Sequence, residues 1–168
     1  MELTRILSHN DVHEGNILLN KKDKSINLID YEYAAYNYCF YDIANHFCEW
    51  MFDYDTTQDP FFIYIPNNFP SNSTITNFLY SYHNTQKLDK TLVSKQIAEI
   101  KRFSISSHVF WSLWALSISD SEINFNYQAF SDARIDAMQK LLAENTELNS
   151  EFCLLHAAKL QKLDSVRG

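Results

Sequence analysis

These 168 residues predict a mainly α fold with a small β-hairpin, and two patterns carry that expectation. The apolar runs Ile17-Leu18-Leu19 and Ile26-Asn27-Leu28-Ile29 flank a polar stretch, residues 20–25, whose Asn, Lys, Asp and Ser read as a turn between short strands. Downstream, apolar side chains recur at helical spacing over most of the chain. With 46% hydrophobic and 15% aromatic residues there is enough apolar material for one packed core.

The elements follow in order. Residues 31–41 are rich in aromatics but show no helical period, so an ordered loop is expected there. From Asp42, the positions Ile43, Phe47, Trp50 and Met51 recur at i, i+4, i+7 and i+8, an amphipathic helix with Asp42 as its expected N-cap. Residues 52–72 hold all three prolines, Pro60, Pro66 and Pro70, together with the turn Asp53-Tyr54-Asp55, and read as loop. A helix over 74–83 places Ile75, Phe78, Leu79 and Tyr82 on one face. A longer helix over 89–118 has the stripe Val93, Ile97, Ile100, Phe103, Trp111 and Trp114, and another covers 127–142. Residues 143–150 are polar and read as a linker, and 151–163 as one more short helix.

Fourteen Lys and Arg against 21 Asp and Glu give a net charge of −7, the wrong sign for a nucleic-acid binder or an anionic membrane surface. A small cationic substrate suits that charge. The three cysteines, Cys39, Cys48 and Cys153, form no C-x-x-C pattern and read as reduced packing residues of a cytoplasmic protein. The residues before His9 leave no room for a signal peptide. The apolar stretch 109–118 is too short to span a bilayer, so no transmembrane segment is expected.

The stretch His9-Asn10-Asp11-Val12-His13-Glu14-Gly15-Asn16 fits H-x-D-x-x-x-x-N, the spacing of a kinase catalytic loop. In such a loop the Asp faces a substrate hydroxyl and the Asn holds magnesium. The second apolar run ends at Asp30, and the intervening turn would bring Asn16 and Asp30 to the same end of the hairpin. Asp11, Asn16 and Asp30 then offer one base and two hard oxygen ligands, the set phosphoryl transfer needs. Taken alone, Asp and Asn near strand ends are usually turn formers, and a pattern with so many wildcards is weak.

Its surroundings are specific. The run Asn10-Asp11-Val12-His13-Glu14-Gly15-Asn16-Ile17-Leu18, followed by Ile29-Asp30-Tyr31-Glu32-Tyr33, Tyr36-Asn37-Tyr38 and Asp42-Ile43-Ala44-Asn45-His46-Phe47-Cys48-Glu49-Trp50, closely resembles the choline/ethanolamine kinase family. Arg102-Phe103, Ser107-His108, Trp111-Ser112-Leu113-Trp114-Ala115 and Ala133-Arg134-Ile135-Asp136-Ala137 look like the same family's C-terminal helices. The Glu14-Gly15-Asn16 variant and His46-Phe47-Cys48-Glu49-Trp50-Met51 look more like choline kinases than dedicated ethanolamine kinases. Departures are His13 in place of Gln, Ala44 in place of Gly, Cys39-Phe40-Tyr41 in place of Arg-Gly-Phe, and Phe130 in place of Tyr. None removes a carboxylate.

The resemblance implies a protein-kinase-like C-terminal lobe that, with Mg2+, transfers the γ-phosphate of ATP to choline or ethanolamine, the first step of phosphatidylcholine synthesis. It implies Asp11 as catalytic base, Asn16 and Asp30 as magnesium ligands, and His9 and Asp42 as supports of the catalytic loop. Choline carries a permanent positive charge, so its site needs aromatic faces and carboxylates. By the resemblance these are Tyr33, Tyr54, Trp111, Trp114, Tyr127 and Phe130, with Glu32 and Glu49. On spacing alone, a Trp pair at i, i+3 is more often plain core. His46 and His108 read as structural histidines with satisfied ring nitrogens, and no carboxylate-His-His spacing suggests zinc.

Only Gly15 and Gly168 are glycines, so no Gly-rich phosphate-covering loop lies in this sequence, and no stretch resembles the V-A-I-K strand of the ATP-pairing lysine. The expectation is therefore the C-terminal lobe over 1–142 without an N-terminal nucleotide lobe, then a linker and divergent tail over 143–168. Such a chain is not expected to be a competent kinase by itself. One rival expectation is an incompetent paralogue or fragment that acts as a binding partner, as a homodimer or with a full-length kinase. The other is an aminoglycoside-phosphotransferase-like lobe, against which the paired tryptophans and Tyr31-Glu32-Tyr33 argue.

Overall fold

Strands β2 (Ile17–Leu19) and β3 (Ile26–Leu28) pair antiparallel in the computed structural model, which describes residues 4–85, 87–118 and 123–145. Their turn is closed by local polar chemistry: Asn20 Oδ1 accepts the Lys22 N–H and Asp23 Oδ1 accepts the Ser25 N–H, both at 2.9 Å. Strand β1 (Arg5–Ser8) pairs with β4 (Ala35–Tyr38), placing Ser8 opposite Ala35. Residues 31–41 are therefore not a loop throughout. The partner of β4 lies far back in sequence, and its own alternation is mostly exposed, so no local period marks it.

Helix α1 (Cys39–Glu49) begins three residues before Asp42, and its N-cap, Tyr38, makes no side-chain cap. The N-cap reading of Asp42 is thus corrected: Asp42 lies inside the first turn, and its carboxylate is engaged by the chain before the hairpin. Ile43, Phe47 and Met51 are buried as their spacing predicts, whereas Trp50 is 40% exposed and donates its indole N–H to His46 Nε2 at 3.2 Å. The stretch 52–72 is also more ordered than a loop, containing the short pair β5 (Phe52–Asp53) and β6 (Ile63–Tyr64) and a 3-10 turn at Pro66–Asn68. Two-residue strands are too short to show a period.

The remaining helices start where local capping chemistry allows. Helix α2 (Asn72–Tyr82) is capped by Ser71, whose Oγ accepts the Thr74 N–H at 3.2 Å. Asp89 caps α3 (Lys90–Ser117), accepting from Leu92 at 3.0 Å, and Asn126 caps α4 (Tyr127–Glu144), accepting from Ala129 at 3.0 Å. At 28 residues, α3 is the spine, about 42 Å long at helical rise. Its first half packs with α1 and α2 around Phe47, Ile75, Leu79 and Ile100. Its second half packs with α4 and the β5–β6 region around Trp111, Ala115, Phe62 and Phe130. That second cluster holds the site.

Helix α4 ends at Glu144, two residues into the stretch expected as linker. The helix expected over 151–163, and Cys153, lie outside the described residues. Cys39 and Cys48 are unpaired, and burial pushes the Cys48 thiol up to about 12, which suits an inert packing residue. Among the described residues no helix is long and apolar enough to cross a membrane.

Candidate active site

The loop between β1 and the hairpin is fixed by α1. Asp42 accepts the backbone N–H of His9 through Oδ2 and that of Asn10 through Oδ1, each at 2.7 Å. A carboxylate taking two amide protons is a strong clamp, because the acceptor is charged. Asn10 stands at φ 65, a left-handed conformation that Asn tolerates better than most residues. Its side chain ties three segments together, donating to Tyr33 O at 2.9 Å and accepting from Asn37 Nδ2 at 2.9 Å. The His9 ring bonds Ile29 O at 2.8 Å, and His46 Nδ1 bonds Val12 O at 2.9 Å. His9 and Asp42 therefore hold the loop, and Asn10 and His46 join them.

This framework presents Asp11, Asn16 and Asp30 together. Asn16 Nδ2 donates to Asp11 O at 2.9 Å and Asp11 Oδ2 at 3.3 Å, leaving the amide oxygen for another partner. The Ile29 N–H donates to Asn16 O at 3.1 Å, so the residue before Asp30 is bonded to both His9 and Asn16. Asp30 follows at φ 62 with an exposed side chain. Burial, then the nearby carboxylates of Glu49 and Asp30, raise Asp11 to about 6, against the opposing effect of His13 and His9. Such a carboxylate is close to the range in which a general base works near neutral pH.

Asp11 opens into a cavity of about 280 Å³. All eight side chains expected for substrate contact line it, from four parts of the chain. Trp114 Nε1 donates to the Tyr33 hydroxyl at 2.8 Å, and Trp111 Nε1 to Asn45 Oδ1 at 2.7 Å. With the indole N–H groups so engaged, the rings stand edge to face, Trp111 with Trp114 at 5.2 Å and Trp114 with Tyr127 at 6.0 Å. Trp111 is thus both core, at 5% exposure, and cavity wall. Tyr54 donates to Glu49 Oε2 at 2.8 Å, and Phe130 packs on Phe52 and Phe62. Asp11, Glu32 and Glu49 against Arg134 leave the lining net negative, a complement for a cation.

Arg134, quoted above only as part of a family-like helix, is a site residue that sequence reasoning missed. It is 1% exposed, paired with Glu49 through Nη2 and Oε1, and its guanidinium lies 4.2 Å from the Phe52 ring centroid and 4.7 Å from that of Phe130. The signal was present: Phe130, Arg134, Ala137 and Leu141 follow 4-3-4 spacing, which puts a cation on the buried face of α4. His13 and Phe125, also in the lining, carried no comparable pattern. His46 is satisfied on both ring nitrogens. His108 corrects its expectation: fully buried, neither ring nitrogen has a hydrogen-bond partner among the described residues. Burial, and then Arg134, push its pKa well below the usual range, so it packs as a neutral ring.

Residues 1–139 match the family model for choline/ethanolamine kinase. The chain is 37% identical to choline kinase alpha of Mus musculus over 147 residues, 79% of this chain and 32% of that protein. It is 34% identical to the choline/ethanolamine kinase of Homo sapiens over 157 residues, 86% of this chain and 40% of that protein. The crystal structure of choline kinase from Cryptosporidium parvum Iowa II superposes with a TM-score of 0.72 at 27% identity, covering 88% of this chain and 40% of that one. An ethanolamine kinase of Plasmodium vivax gives 0.68 at 29% identity, covering 82% and 34%. The chain thus spans between 32% and 40% of the length of these relatives. A family match over most of the sequence, on a fold shared with solved members, settles the relationship: this chain belongs to the choline/ethanolamine kinase family.

Proposed function

We propose that this chain forms the substrate-binding and base-bearing lobe of a kinase that moves the γ-phosphoryl group of ATP to the hydroxyl of choline or ethanolamine. Phosphocholine made this way would enter phosphatidylcholine synthesis. The observation that carries the reading is the cavity: one carboxylate held near its working range opens into a net-negative chamber whose aromatic walls include Tyr33, Tyr54, Trp111 and Trp114 with their polar groups hydrogen-bonded. The aromatic faces and carboxylates would take the cationic head, leaving the hydroxyl toward Asp11. Asp11 would accept the hydroxyl proton as the oxygen attacks phosphorus. Of the two alcohols, choline is preferred here because the sequence stays nearer the choline kinase pattern.

The donors present fit Mg2+. Asn16 offers an amide oxygen whose nitrogen is already committed to Asp11, and Asp30 offers an exposed carboxylate beside it. Among the described residues no three His, Cys, Asp or Glu converge as a metal cage. Two hard oxygen ligands, completed by phosphate and water, are what reluctantly dehydrated Mg2+ commonly uses. Bound there, the ion would neutralise charge on the phosphates of ATP.

We assign residues 1–142 to this lobe and 143–168 to a linker and tail, and place the reaction in the cytoplasm, where Cys39 and Cys48 stay reduced. With glycines only at 15 and 168, the Gly-rich cover of the nucleotide is assigned to polypeptide other than these residues. The same glycine count favours a second reading, a non-catalytic partner that binds choline or pairs with a complete kinase. Asp11→Asn, in this chain joined to a nucleotide lobe and supplied with Mg2+, ATP and choline, is expected to cut turnover by about 10²–10⁴, followed by phosphorus NMR. Equal turnover in parent and variant would remove Asp11 from the chemistry, and choline binding without turnover in the parent would favour the partner.

A further inference from the structure

His13 is held in one orientation by its own loop. Gly15 donates its N–H to His13 Nδ1 at 3.2 Å, so Nδ1 is the acceptor and the ring proton sits on Nε2. The ring lies close over the glycine: a Cβ at position 15 would stand 2.8 Å from His13 Cε1 and 3.2 Å from Nδ1. The Tyr54 ring meets it edge to face at 6.2 Å. The chain's one internal glycine therefore makes room for this imidazole and fixes its tautomer.

So placed, His13 Nε2 stands 4.0 Å from Asp11 Oδ2, and both residues line the aromatic cavity. That gap is too long for a hydrogen bond, but an oxygen about 2.9 Å from each atom would bridge them. The oxygen must accept from Nε2–H and give its own proton to the carboxylate. A hydroxyl does both.

We propose that His13 is a further substrate-contacting residue, whose Nε2–H holds the alcohol oxygen while Asp11 takes that oxygen's proton. The inference rests on the kinase reading above and adds a role for the position at which this chain carries His. In the step, the hydroxyl proton passes to Asp11 and an oxygen–phosphorus bond forms to the γ-phosphorus of ATP. The bond from that phosphorus to the β,γ-bridging oxygen breaks, and ADP leaves with the electron pair. His13 keeps its proton throughout. By fixing the direction from which the oxygen accepts, it would aim the remaining lone pair away from the ring, and misaiming by about 1 Å can cost about a hundredfold in rate.

The test is calorimetric titration of the full chain with choline and with tetramethylammonium, which has a similar cationic head and no hydroxyl. His13→Ala should weaken choline about fivefold, the worth of one hydrogen bond, and leave tetramethylammonium unchanged. His13→Gln, which offers an amide N–H, should recover most of the loss. Choline affinity unchanged in His13→Ala, or an equal fall for both cations, would overturn the role. If circular dichroism shows His13→Ala unfolded, His13→Leu, which keeps bulk without a donor, is judged by the same two titrations. Failure of the unaltered chain to bind either cation would instead remove the kinase reading of the cavity, and this inference with it.

Discussion

Glu49 and Arg134, 85 residues apart in sequence, form an ion pair closed off from solvent, at 7% and 1% exposure. The pair joins the end of α1 to the middle of α4 in the wall of the cavity, and Tyr54 adds a hydroxyl to the same carboxylate. Removing one partner would strand a buried charge. Arg134→Leu is therefore expected to cost about 3–5 kcal/mol in urea denaturation, and the double change with Glu49→Leu to cost less than Arg134→Leu alone. A loss below about 1 kcal/mol in the single variant would place the pair in contact with water.

Asp42 is the link between α1 and the loop that carries Asp11. In Asp42→Asn one acceptor oxygen becomes a donor facing an N–H, so one of the two bonds to His9 and Asn10 is lost and the other loses its charge. The expected loss is about 1.5–3 kcal/mol, and the His9 and Asn10 amides should exchange with deuterium much faster than in the parent. Unchanged protection at those two amides would show that the loop holds itself.

Asp11 gives a pH dependence with a definite sign. Burial first, then Glu49 and Asp30, raise its folded-state pKa from 3.8 to about 6. The native state thus favours the protonated form. That contribution is fully present below pH about 4 and is lost as pH rises through about 6. Asp11→Asn removes the ionised form, so it should be more stable than the parent by about 1–3 kcal/mol at pH about 8, with the difference vanishing below pH about 4. Urea midpoints at the two pH values measure this. A gain of equal size at both would mean that Asp11 is not held above its ordinary range.

Local chemistry made much of this molecule legible. The helix expected from residue 89 begins where Asp89 bonds the Leu92 amide, whereas Ser71, which caps α2, falls in the stretch expected as loop. Ile75, Leu79 and Ile100 lie on the faces their spacing assigns. What depends on distant partners was not legible. The β4 strand is defined by β1, and the local pattern makes Asp42 look like a cap because the N–H donors it binds lie across the fold. The aromatic residues named from the resemblance converge on one cavity, yet Arg134 in the same wall was passed over although its spacing placed it on a buried face. His108 shows the limit of residue type as a guide: a histidine can be buried with no partner when its surroundings keep it neutral.

On the function proposed above, the cavity beside Asp11 recognises a positive charge by its aromatic faces and carboxylates. Calorimetry of the purified chain with choline, and with the neutral isostere in which a quaternary carbon replaces the nitrogen, tests it most directly. A desolvated cation–π contact is worth about 2 kcal/mol, so choline should bind at least about thirtyfold more tightly than the isostere, and Trp114→Ala should erase most of that preference. Equal affinity for the two ligands, with Trp114→Ala without effect on either, would contradict the account.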